Sequence, residues 1–326
     1  MKRNWVKLIC LGVTAGLLAA ACGGSSSGGG GVQAGGGSIK TDSSLQGKTI
    51  TVGSKEFTES QILGQMTILA LQGAGAKTVD KTNIKGSTAA RNALINGQTD
   101  IYWDYTGTGW ITYLNHTDHF PDATQQFNAT AQEDLQKNHL KWFAMSPLND
   151  TYAMAMGPDT AKKLSNVNSL TDLATLSQQQ PSQATFCIAS EFATRSDGFP
   201  GMNNAYGIKV DQSNVKMLDE GVIYTQTQKG TCNFGEVFTT DGRIKSLNLK
   251  VLSDPKQFFP NYNAAVITRD QTFNQYPGLE KIMQPIASKL NNQTITELNA
   301  QVDAQGKTPK AVAQKWMTDQ GFVKST

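Results

Sequence analysis

Residues 51–65 have the sequence TVGSKEFTESQILGQ, in which a short apolar strand ends in a charged loop that leads directly into a helix. Thr58 and Gln61 have the T-x-x-Q spacing of a capping box, and apolar residues recur at helical intervals from Ile62 onward. Lys55 therefore lies at the carboxyl end of a predicted strand, which is where open α/β sheets bind their ligands. The segment predicts a binding site without indicating which ligand it binds.

The alternation of strands and helices that begins in this segment occurs twice along the chain. The first half has predicted strands at 49–54, 79–84 and 100–103, with helices from residue 62 and over 88–96. The second half has predicted strands at 186–189, 215–218 and 233–238, with helices over 200–206 and 222–229. Each half therefore predicts a βαβαβ unit.

Two further apolar strands, at 151–156 and 263–268, lie between the two units and after the second one. If both cross between the units, the chain forms an α/β protein of two βαβαβ lobes that are joined by two hinge strands and separated by a cleft. Lobe I then comprises residues 47–150 and 264–326, and lobe II comprises residues 151–263. The strand-end loops of both lobes face the cleft, where sheets of this kind bind their ligands.

The start of the chain has the pattern of a secretory signal peptide over residues 1–21, with basic residues before a short apolar run. The sequence LAAAC at 18–22 resembles a bacterial lipobox, which predicts that Cys22 becomes lipidated. The small residues before Cys22 also suit an ordinary signal peptidase, so free secretion remains an alternative. Residues 22–46, the cysteine and a Gly- and Ser-rich stretch, are predicted to form a flexible linker because they hold too little apolar surface to order themselves.

The charge balance argues against binding to nucleic acid or to an anionic membrane surface. The chain has 29 Lys and Arg against 26 Asp and Glu, and the predicted signal peptide removes three basic residues and no acidic ones. The mature chain is then formally neutral, and no run rich in Lys or Arg occurs in the sequence. No nucleic-acid partner is predicted.

Two cysteines remain once Cys10 leaves with the signal peptide and Cys22 carries a lipid. In an oxidising exterior such a pair favours a disulfide between Cys187 and Cys232, and two buried thiols are the alternative. Zinc needs four ligands, and no histidine lies near either cysteine in the sequence. The HxxH motif at 116–119 lies in a stretch typical of a solvated loop, so neither a metal nor a cofactor is predicted.

Six sequence blocks carry the strand ends of both units and the two crossing segments. The blocks are GSKEFTESQILG at 53–64, DIYWDYTGTG at 100–109, NDTYAMAM at 149–156, SEFATRSDGFPGMNNAYG at 190–207, FTTDGRI at 238–244 and FFPNYNAAVI at 258–267. In this order they resemble the glycine betaine/choline substrate-binding proteins of osmoprotectant ABC transporters. The resemblance implies a two-lobed periplasmic-binding-protein-like fold. It also implies an extracytoplasmic, lipid-anchored, monomeric receptor that delivers a quaternary ammonium solute to an ABC permease and its ATPase.

The resemblance further implies which residues bind the solute. A quaternary ammonium has no N–H to donate, so aromatic ring faces recognise it. The implied ammonium cage consists of Tyr105, Tyr152, Phe238 and Tyr262. The implied clamp for a ligand carboxylate consists of Lys55, Thr108 and Arg195, which offer a cation, a hydroxyl and a guanidinium fork.

Each of these residues also has a purely structural alternative. Any one aromatic side chain could instead pack in the core. Phe238 stands where the family more often has tyrosine, so it keeps the ring face without the hydroxyl. Lys55 could be solvated, and Arg195 could pair with Asp197 or Glu191.

Two uncompensated cations in a closed pocket would disfavour choline, so glycine betaine is the favoured ligand, with choline or carnitine as the alternative. An enzyme is a different class of function, because Asp100 and Asp104 are four residues apart and could mimic the carboxylate pair of a glycoside hydrolase. No nucleophile aligned with a base, phosphate loop or metal-ligand spacing accompanies them, so we predict a protein that is not an enzyme. A sensor or a structural envelope protein that uses a binding lobe is a third alternative.

Overall fold

The structure is a computed structural model, and it describes residues 31–326. The predicted signal peptide over 1–21 and the predicted lipidation of Cys22 lie outside the described residues. Within residues 31–326, no helix combines the length and the apolar composition that are needed to cross a membrane.

The first sheet has five strands, four of which run in the same direction. Its members, in spatial order, are β3 (Lys77–Ile84), β2 (Thr49–Lys55), β4 (Ile101–Tyr105), β11 (Ala264–Arg269) and β5 (Leu140–Phe143). β2 runs parallel to β3 and β4, whereas β11 runs antiparallel to β4 and β5. The predicted first βαβαβ unit is therefore present, and a strand from near the end of the chain completes its sheet.

The second sheet repeats this arrangement. Its members, in spatial order, are β8 (Val215–Met217), β7 (Phe186–Ile188), β9 (Phe234–Phe238), β6 (Tyr152–Met156) and β10 (Lys250–Val251). β7 runs parallel to β8 and β9, whereas β6 runs antiparallel to β9 and β10. The fold is thus an α/β fold with mixed sheets in two lobes, as the sequence predicts.

The two segments that connect the lobes run side by side. Asn149 and Asn263 form an isolated antiparallel bridge, and the backbone N–H of Asp150 donates to the carbonyl of Tyr262 over 3.1 Å. One of these segments leads into β6 of the second sheet, and the other leads into β11 of the first. The strands that follow the crossings are therefore integral members of the two sheets.

Twelve α-helices occur within residues 31–326, and a π-helical turn spans Thr108–Tyr113. The helices are α1 (Thr58–Gly73), α2 (Ser87–Ile95), α3 (Ala123–Asn138), α4 (Pro158–Lys163), α5 (Leu170–Gln179), α6 (Phe199–Tyr206), α7 (Glu220–Gln228), α8 (Arg243–Ser246), α9 (Asp270–Gln275), α10 (Gly278–Ala287), α11 (Asn292–Asp303) and α12 (Pro309–Asp319). α1 is buried along most of its length and packs against β2, β3, α11 and α12. It is the central helix of the first lobe.

The predicted capping box at the start of α1 is wrong. Phe57 is the N-cap residue and Thr58 is the first helical residue, so Thr58 stands one position too late to cap the helix. The Thr58 hydroxyl donates instead to Asp303 over 2.5 Å, and the Gln61 amide donates to the carbonyl of Glu56. A tertiary partner from α11 thus takes the hydroxyl for which the local spacing predicts a cap.

The second half of the predicted flexible linker, residues 32–46, packs against the folded chain, so the prediction is wrong for this part. The short strand β1 (Val32–Gln33) pairs antiparallel with β12 (Lys324–Ser325). Ile39 is 7% exposed and Leu45 is fully buried. Burial of these side chains and backbone hydrogen bonds to the folded chain order a segment whose average composition is that of a linker.

Glycine in this segment permits a close approach between backbones. A Cβ atom on Gly37 would lie 2.1 Å from the carbonyl oxygen of Phe322. The neighbouring amides of Ser38 and Ile39 donate to the carbonyls of Gly321 and Phe322 over 2.8 and 3.1 Å. The Gly-rich composition therefore serves packing here.

Candidate functional site

The structure brings the four aromatic residues of the predicted cage together at strand ends from both sheets. Tyr105 ends β4, and Phe238 ends β9 directly opposite Tyr152, which begins β6. Tyr262 precedes β11 by two residues. A Cβ atom on Gly107 would lie 2.6 Å from the Tyr262 ring, so the loop after β4 needs glycine at this position to admit the ring.

These side chains form a continuous series of ring contacts with one additional member, Phe57. We call the five residues the aromatic cluster: Tyr105, Phe57, Phe238, Tyr152 and Tyr262. Neighbouring ring centroids along this series are separated by 5.8, 5.1, 5.1 and 5.5 Å. These separations lie within the range of favourable aromatic pairs.

Phe57 is a member of the site that the sequence prediction missed. Its ring links Tyr105 of the first lobe to Phe238 of the second. Phe57 lies two residues after Lys55, in the loop that follows β2, so the strand-end argument that selected Lys55 applies to it equally.

Buried hydrogen bonds orient two of the tyrosine rings. The Tyr105 hydroxyl donates to Glu59 over 2.6 Å, and the Tyr262 hydroxyl donates to Asp197 over 2.7 Å. Burial and nearby carboxylates raise the pKa of Tyr105 and of Tyr262 well above its usual range. Both phenols are therefore neutral, and their ring faces can still contact a cation.

The predicted clamp residues also lie in this region, but each cation contacts a carboxylate. We call Lys55, Arg195, Asp104, Asp197 and Glu191 the ionic cluster. Lys55 is 4% exposed, and its Nζ lies 2.7 Å from Asp104 Oδ1 and donates to the Ser87 hydroxyl over 3.0 Å. The alternative of a solvated Lys55 is therefore wrong.

Arg195 holds two carboxylates at once. Its Nε and Nη2 donate to the two oxygens of Asp197 over 2.8 and 2.6 Å, which is a bidentate pair. Its Nη1 donates to Glu191 over 2.9 Å, and its Nη2 also lies 3.4 Å from the Thr108 hydroxyl. Arg195 thus makes the ion pairs that were its structural alternative while it also contacts Thr108.

This pairing corrects the argument that favoured betaine over choline. That argument requires two uncompensated cations, whereas Lys55 and Arg195 face the three carboxylates of the ionic cluster. The charge of these cations therefore does not disfavour a cationic ligand.

The two cations also contact ring faces of the aromatic cluster. Lys55 Nζ lies 5.1 Å from the centroid of Tyr105, and the guanidinium carbon of Arg195 lies 5.5 Å from the centroid of Tyr152. Both distances are within cation–π range. The two clusters therefore interleave within one site.

Glu191 lies in the second lobe and contacts the first lobe through one of its carboxylate oxygens. Oε1 accepts from Arg195 in the second lobe, and Oε2 accepts from the backbone N–H of Ser87 over 2.9 Å, at the start of α2 in the first. Burial acts to raise the pKa of Glu191. Lys55, Arg195 and the hydrogen bonds from Ser87 outweigh this effect and lower the pKa to about 2.

All seven predicted residues line one cavity of about 20 Å³, which has room for only a water molecule or two. Several of the same side chains, including Phe57, Glu191 and Phe238, also line a groove of about 1220 Å³ with walls from both lobes. Glu220 lies at both, and burial together with the nearby Glu56 and Glu191 raises its pKa to about 8. Glu220 therefore keeps its proton to higher pH than an exposed carboxyl group does.

A second buried polar network lies behind the aromatic cluster. Glu59 accepts from the Thr240 hydroxyl over 2.6 Å, and Asp150 accepts from the Thr240 backbone N–H over 3.2 Å. Asn299 donates to the Thr240 carbonyl over 3.0 Å. Burial is the main cause that raises the pKa of Glu59 and of Asp150, and their proximity to each other raises the pKa of Asp150 further.

Cys187 and Cys232 form a disulfide with an S–S distance of 2.07 Å, the pairing that the sequence favours. Both histidines of the predicted solvated loop at 116–119 have partners in the folded chain. His116 stacks on Trp110 and contacts Glu133 over 2.9 Å, and His119 contacts the carbonyl of Gln257. No cluster of His, Cys, Asp and Glu among residues 31–326 is suited to a metal ion.

The two aspartates of the enzyme alternative have separate structural partners. Asp100 accepts from the Thr51 backbone N–H over 2.8 Å and pairs with Arg269. Asp104 pairs with Lys55 and accepts from the Tyr102 hydroxyl over 2.6 Å. These contacts hold the strands and the ionic cluster together.

Comparison with known proteins identifies a family. Residues 48–319 match the family model of the substrate-binding domain of ABC-type glycine betaine transport systems. The glycine-betaine-binding protein of Pseudomonas aeruginosa is 37% identical over 279 residues, which cover 84% of this chain and 88% of that protein. The glycine betaine-binding protein YehZ of Escherichia coli is 31% identical over 283 residues, which cover 84% of this chain and 92% of that protein.

A solved structure of a glycine betaine/carnitine/choline ABC transporter protein superposes on this chain with a TM-score of 0.67. The two are 28% identical, and the match covers 84% of this chain and 99% of the other. The likeness therefore extends over nearly the whole part of the chain that the structure describes.

Proposed function

The chain belongs to the family of substrate-binding domains of ABC-type glycine betaine transport systems, and from this membership we propose that it is the extracytoplasmic receptor for a quaternary ammonium solute. Glycine betaine is the proposed ligand, and delivery to an ABC permease for osmoprotectant uptake is the proposed role. The observation that carries the proposal is that all seven residues predicted for the cage and the clamp line one cavity.

The aromatic cluster supports recognition of the ammonium group. A quaternary ammonium spreads its charge over methyl groups and binds ring faces, at about 0.5–1 kcal/mol for each exposed ring and about 2 kcal/mol for a desolvated one. Tyr105, Tyr152 and Tyr262 are less than 10% exposed. A few such rings could together reach micromolar affinity, roughly −8 kcal/mol.

The cavity has little free space, so entry of a solute requires the rings to separate. Tyr105 lies on a strand of the first lobe and Phe238 on a strand of the second. We therefore assign ligand entry and release to relative movement of the lobes I (47–150 and 264–326) and II (151–263) about the two crossing segments.

The ionic cluster supports recognition of the rest of the ligand. Lys55, Thr108 and Arg195 are the proposed contacts for the carboxylate of glycine betaine. Because carboxylates of the chain already compensate both cations, choline or carnitine is the alternative ligand. A carbohydrate-active enzyme is the remote alternative, and the separate partners of Asp100 and Asp104 argue against it.

The proposed mature protein is a monomer held at the bacterial cell membrane by a lipid on Cys22, after removal of residues 1–21. Its proposed partners are the solute and the permease and ATPase subunits of the transporter. Neither a metal, a cofactor nor a nucleic acid takes part in this proposal.

Calorimetric titration tests the proposal. The chain from residue 23 should be titrated with glycine betaine, proline betaine, carnitine and choline. We expect saturable binding of at least one of the four at micromolar concentration. Absence of binding to all four would contradict the proposed ligand class, and a shorter form that starts at residue 47 is unsuitable because it lacks Ile39 and Leu45.

A further inference from the structure

We propose that Glu191 is a specificity-determining residue of this site: its carboxylate occupies a donor of Arg195 that a ligand carboxylate needs, and so weakens the binding of betaines relative to choline. The inference rests on the proposed function, because it requires that the aromatic cluster binds the ammonium group. It adds that a carboxylate of the chain itself competes with the carboxylate of the ligand.

Glu191 takes a donor of Arg195, one of the proposed ligand contacts, and lies close enough to a second, Lys55, for the lysine to lower its pKa. Oε1 takes the Nη1 donor of Arg195 over 2.9 Å, and Oε2 takes the backbone N–H of Ser87 over 2.9 Å. Lys55 donates to the hydroxyl of the same Ser87. A carboxylate held between Arg195 and Lys55 would therefore have to displace Glu191 or share its donors.

Glu191 is better suited to displacement than the other carboxylates around the two cations. The side chain of Glu191 is 26% exposed, whereas those of Asp197 and Asp104 are 3% and 0% exposed. Asp197 holds Arg195 through two hydrogen bonds and accepts a third from Tyr262. Asp104 is likewise held by Lys55, Tyr102 and Tyr113.

The chemistry of the two ligands predicts opposite responses to this carboxylate. The carboxylate of glycine betaine is repelled by Glu191 and competes with it for Arg195. The hydroxyl of choline has no charge and can donate to Glu191. Glu191 therefore shifts the ratio of the two affinities toward choline.

The test replaces Glu191 by glutamine and measures the dissociation constants of choline and glycine betaine by calorimetry. Glutamine keeps the shape but loses the charge, so its hold on Arg195 is weaker. We expect the affinity for glycine betaine relative to choline to rise by about tenfold in Glu191→Gln. If this variant does not fold, Glu191→Ala provides the same ratio.

The matched control is Glu56→Gln, which removes one negative charge from the lining of the same cavity. Glu56 accepts from the backbone N–H of Gly86 through both carboxylate oxygens. Among the described residues, its side chain lines the same cavity without a hydrogen bond to either cation of the ionic cluster. We expect the ratio of affinities to change by less than about threefold. This control separates competition for Arg195 from a general change in the charge of the site.

Three outcomes would overturn the inference. Equal changes in the two affinities would mean that Glu191 only stabilises the contact between the lobes. An equal shift of the ratio of affinities in Glu191→Gln and Glu56→Gln would mean that any carboxylate lining the cavity has the same effect. If neither choline nor glycine betaine binds to the unaltered chain or to its variants, the inference fails, whereas the proposed function fails only if proline betaine and carnitine do not bind either.

Discussion

The aromatic cluster and the ionic cluster lie in the same site but are built in different ways. In the aromatic cluster the rings contact one another, and their faces can receive a cation without any change of charge in the protein. In the ionic cluster each cation already has a carboxylate partner, so a charged ligand group must compete with the chain. If the site binds quaternary ammonium compounds as proposed, the rings would set the affinity for these compounds in general, and the charges would decide among them.

The largest effect is expected from a substitution that breaks the ionic cluster. Arg195→Ala leaves Asp197 buried without its bidentate partner, which should lower the free energy of unfolding by about 3–5 kcal/mol. The same variant should bind glycine betaine more weakly, and its affinity for choline should be nearly unchanged. Denaturant unfolding and calorimetry measure the two effects.

The exposed ion pair of Lys85 and Asp219 provides the control for this stability effect. Both side chains are more than three-quarters exposed, so Lys85→Ala should not change the free energy of unfolding measurably. If Arg195→Ala lost affinity for choline and for glycine betaine equally, Arg195 would not belong to the proposed clamp.

The next effect tests the aromatic cluster. Tyr152 contacts Phe192, Phe238 and Tyr262, and its ring is buried. Tyr152→Ala should weaken every quaternary ammonium ligand by about 30-fold, the equivalent of about 2 kcal/mol for one desolvated ring. Tyr152→Phe keeps the ring and should bind within about threefold of the unaltered chain. A loss confined to one ligand would contradict a general role for the rings.

A smaller effect is expected from the ionisation of Asp150, which lies in the buried polar network behind the aromatic cluster. Burial and the nearby Glu59 raise the pKa of Asp150, so the folded state retains a proton that the unfolded state loses at lower pH. Stability from this proton is present in acid, below the unfolded pKa, and is lost as the pH rises through the folded pKa. Asp150→Asn cannot titrate, so its melting temperature should exceed that of the unaltered chain by about 2–4 °C at pH 9 and by less at pH 5. Thermal scans across this pH range measure the difference, and a constant difference would contradict the assignment.

The smallest effect tests the ring that the sequence prediction missed. Phe57 is only partly buried and lies between Tyr105 and Phe238. Phe57→Leu keeps an apolar side chain but removes the ring face. The affinities for choline and for glycine betaine should therefore both fall by about two- to fivefold. Unchanged affinities would limit the aromatic cluster to the four predicted residues.

Much of the fold follows from local sequence. Each strand of the two βαβαβ units lies within a few residues of its predicted position, because apolar runs bounded by turns and helices are visible without tertiary information. Lys55 ends β2 as predicted, and Cys187 reaches Cys232. The site residues come together because the carboxyl ends of the parallel strands lie at the same edge of each sheet as the beginnings of the antiparallel strands β6 and β11.

The errors concern partners that only tertiary contacts decide. Thr58 has the spacing of a cap but bonds Asp303 from a helix some 245 positions along the chain. Residues 32–46 have the composition of a linker, yet Ile39 and Leu45 are buried in the core. Asp104 is visible in the sequence, but its pairing with Lys55 depends on how two strands and a loop meet.

The pairing of β1 with β12 has a consequence for the reach of the receptor. If Cys22 carries the lipid as proposed, the chain up to Val32 can bridge at most about 35 Å from the bilayer, whereas a linker that extends to residue 46 would bridge up to about 85 Å. A shorter connection confines the protein to a thinner layer above the membrane, and so raises its local concentration at a membrane-embedded transporter several-fold. With the proposed lipid anchor, the pairing of β1 with β12 would thereby influence how often the proposed receptor meets its permease.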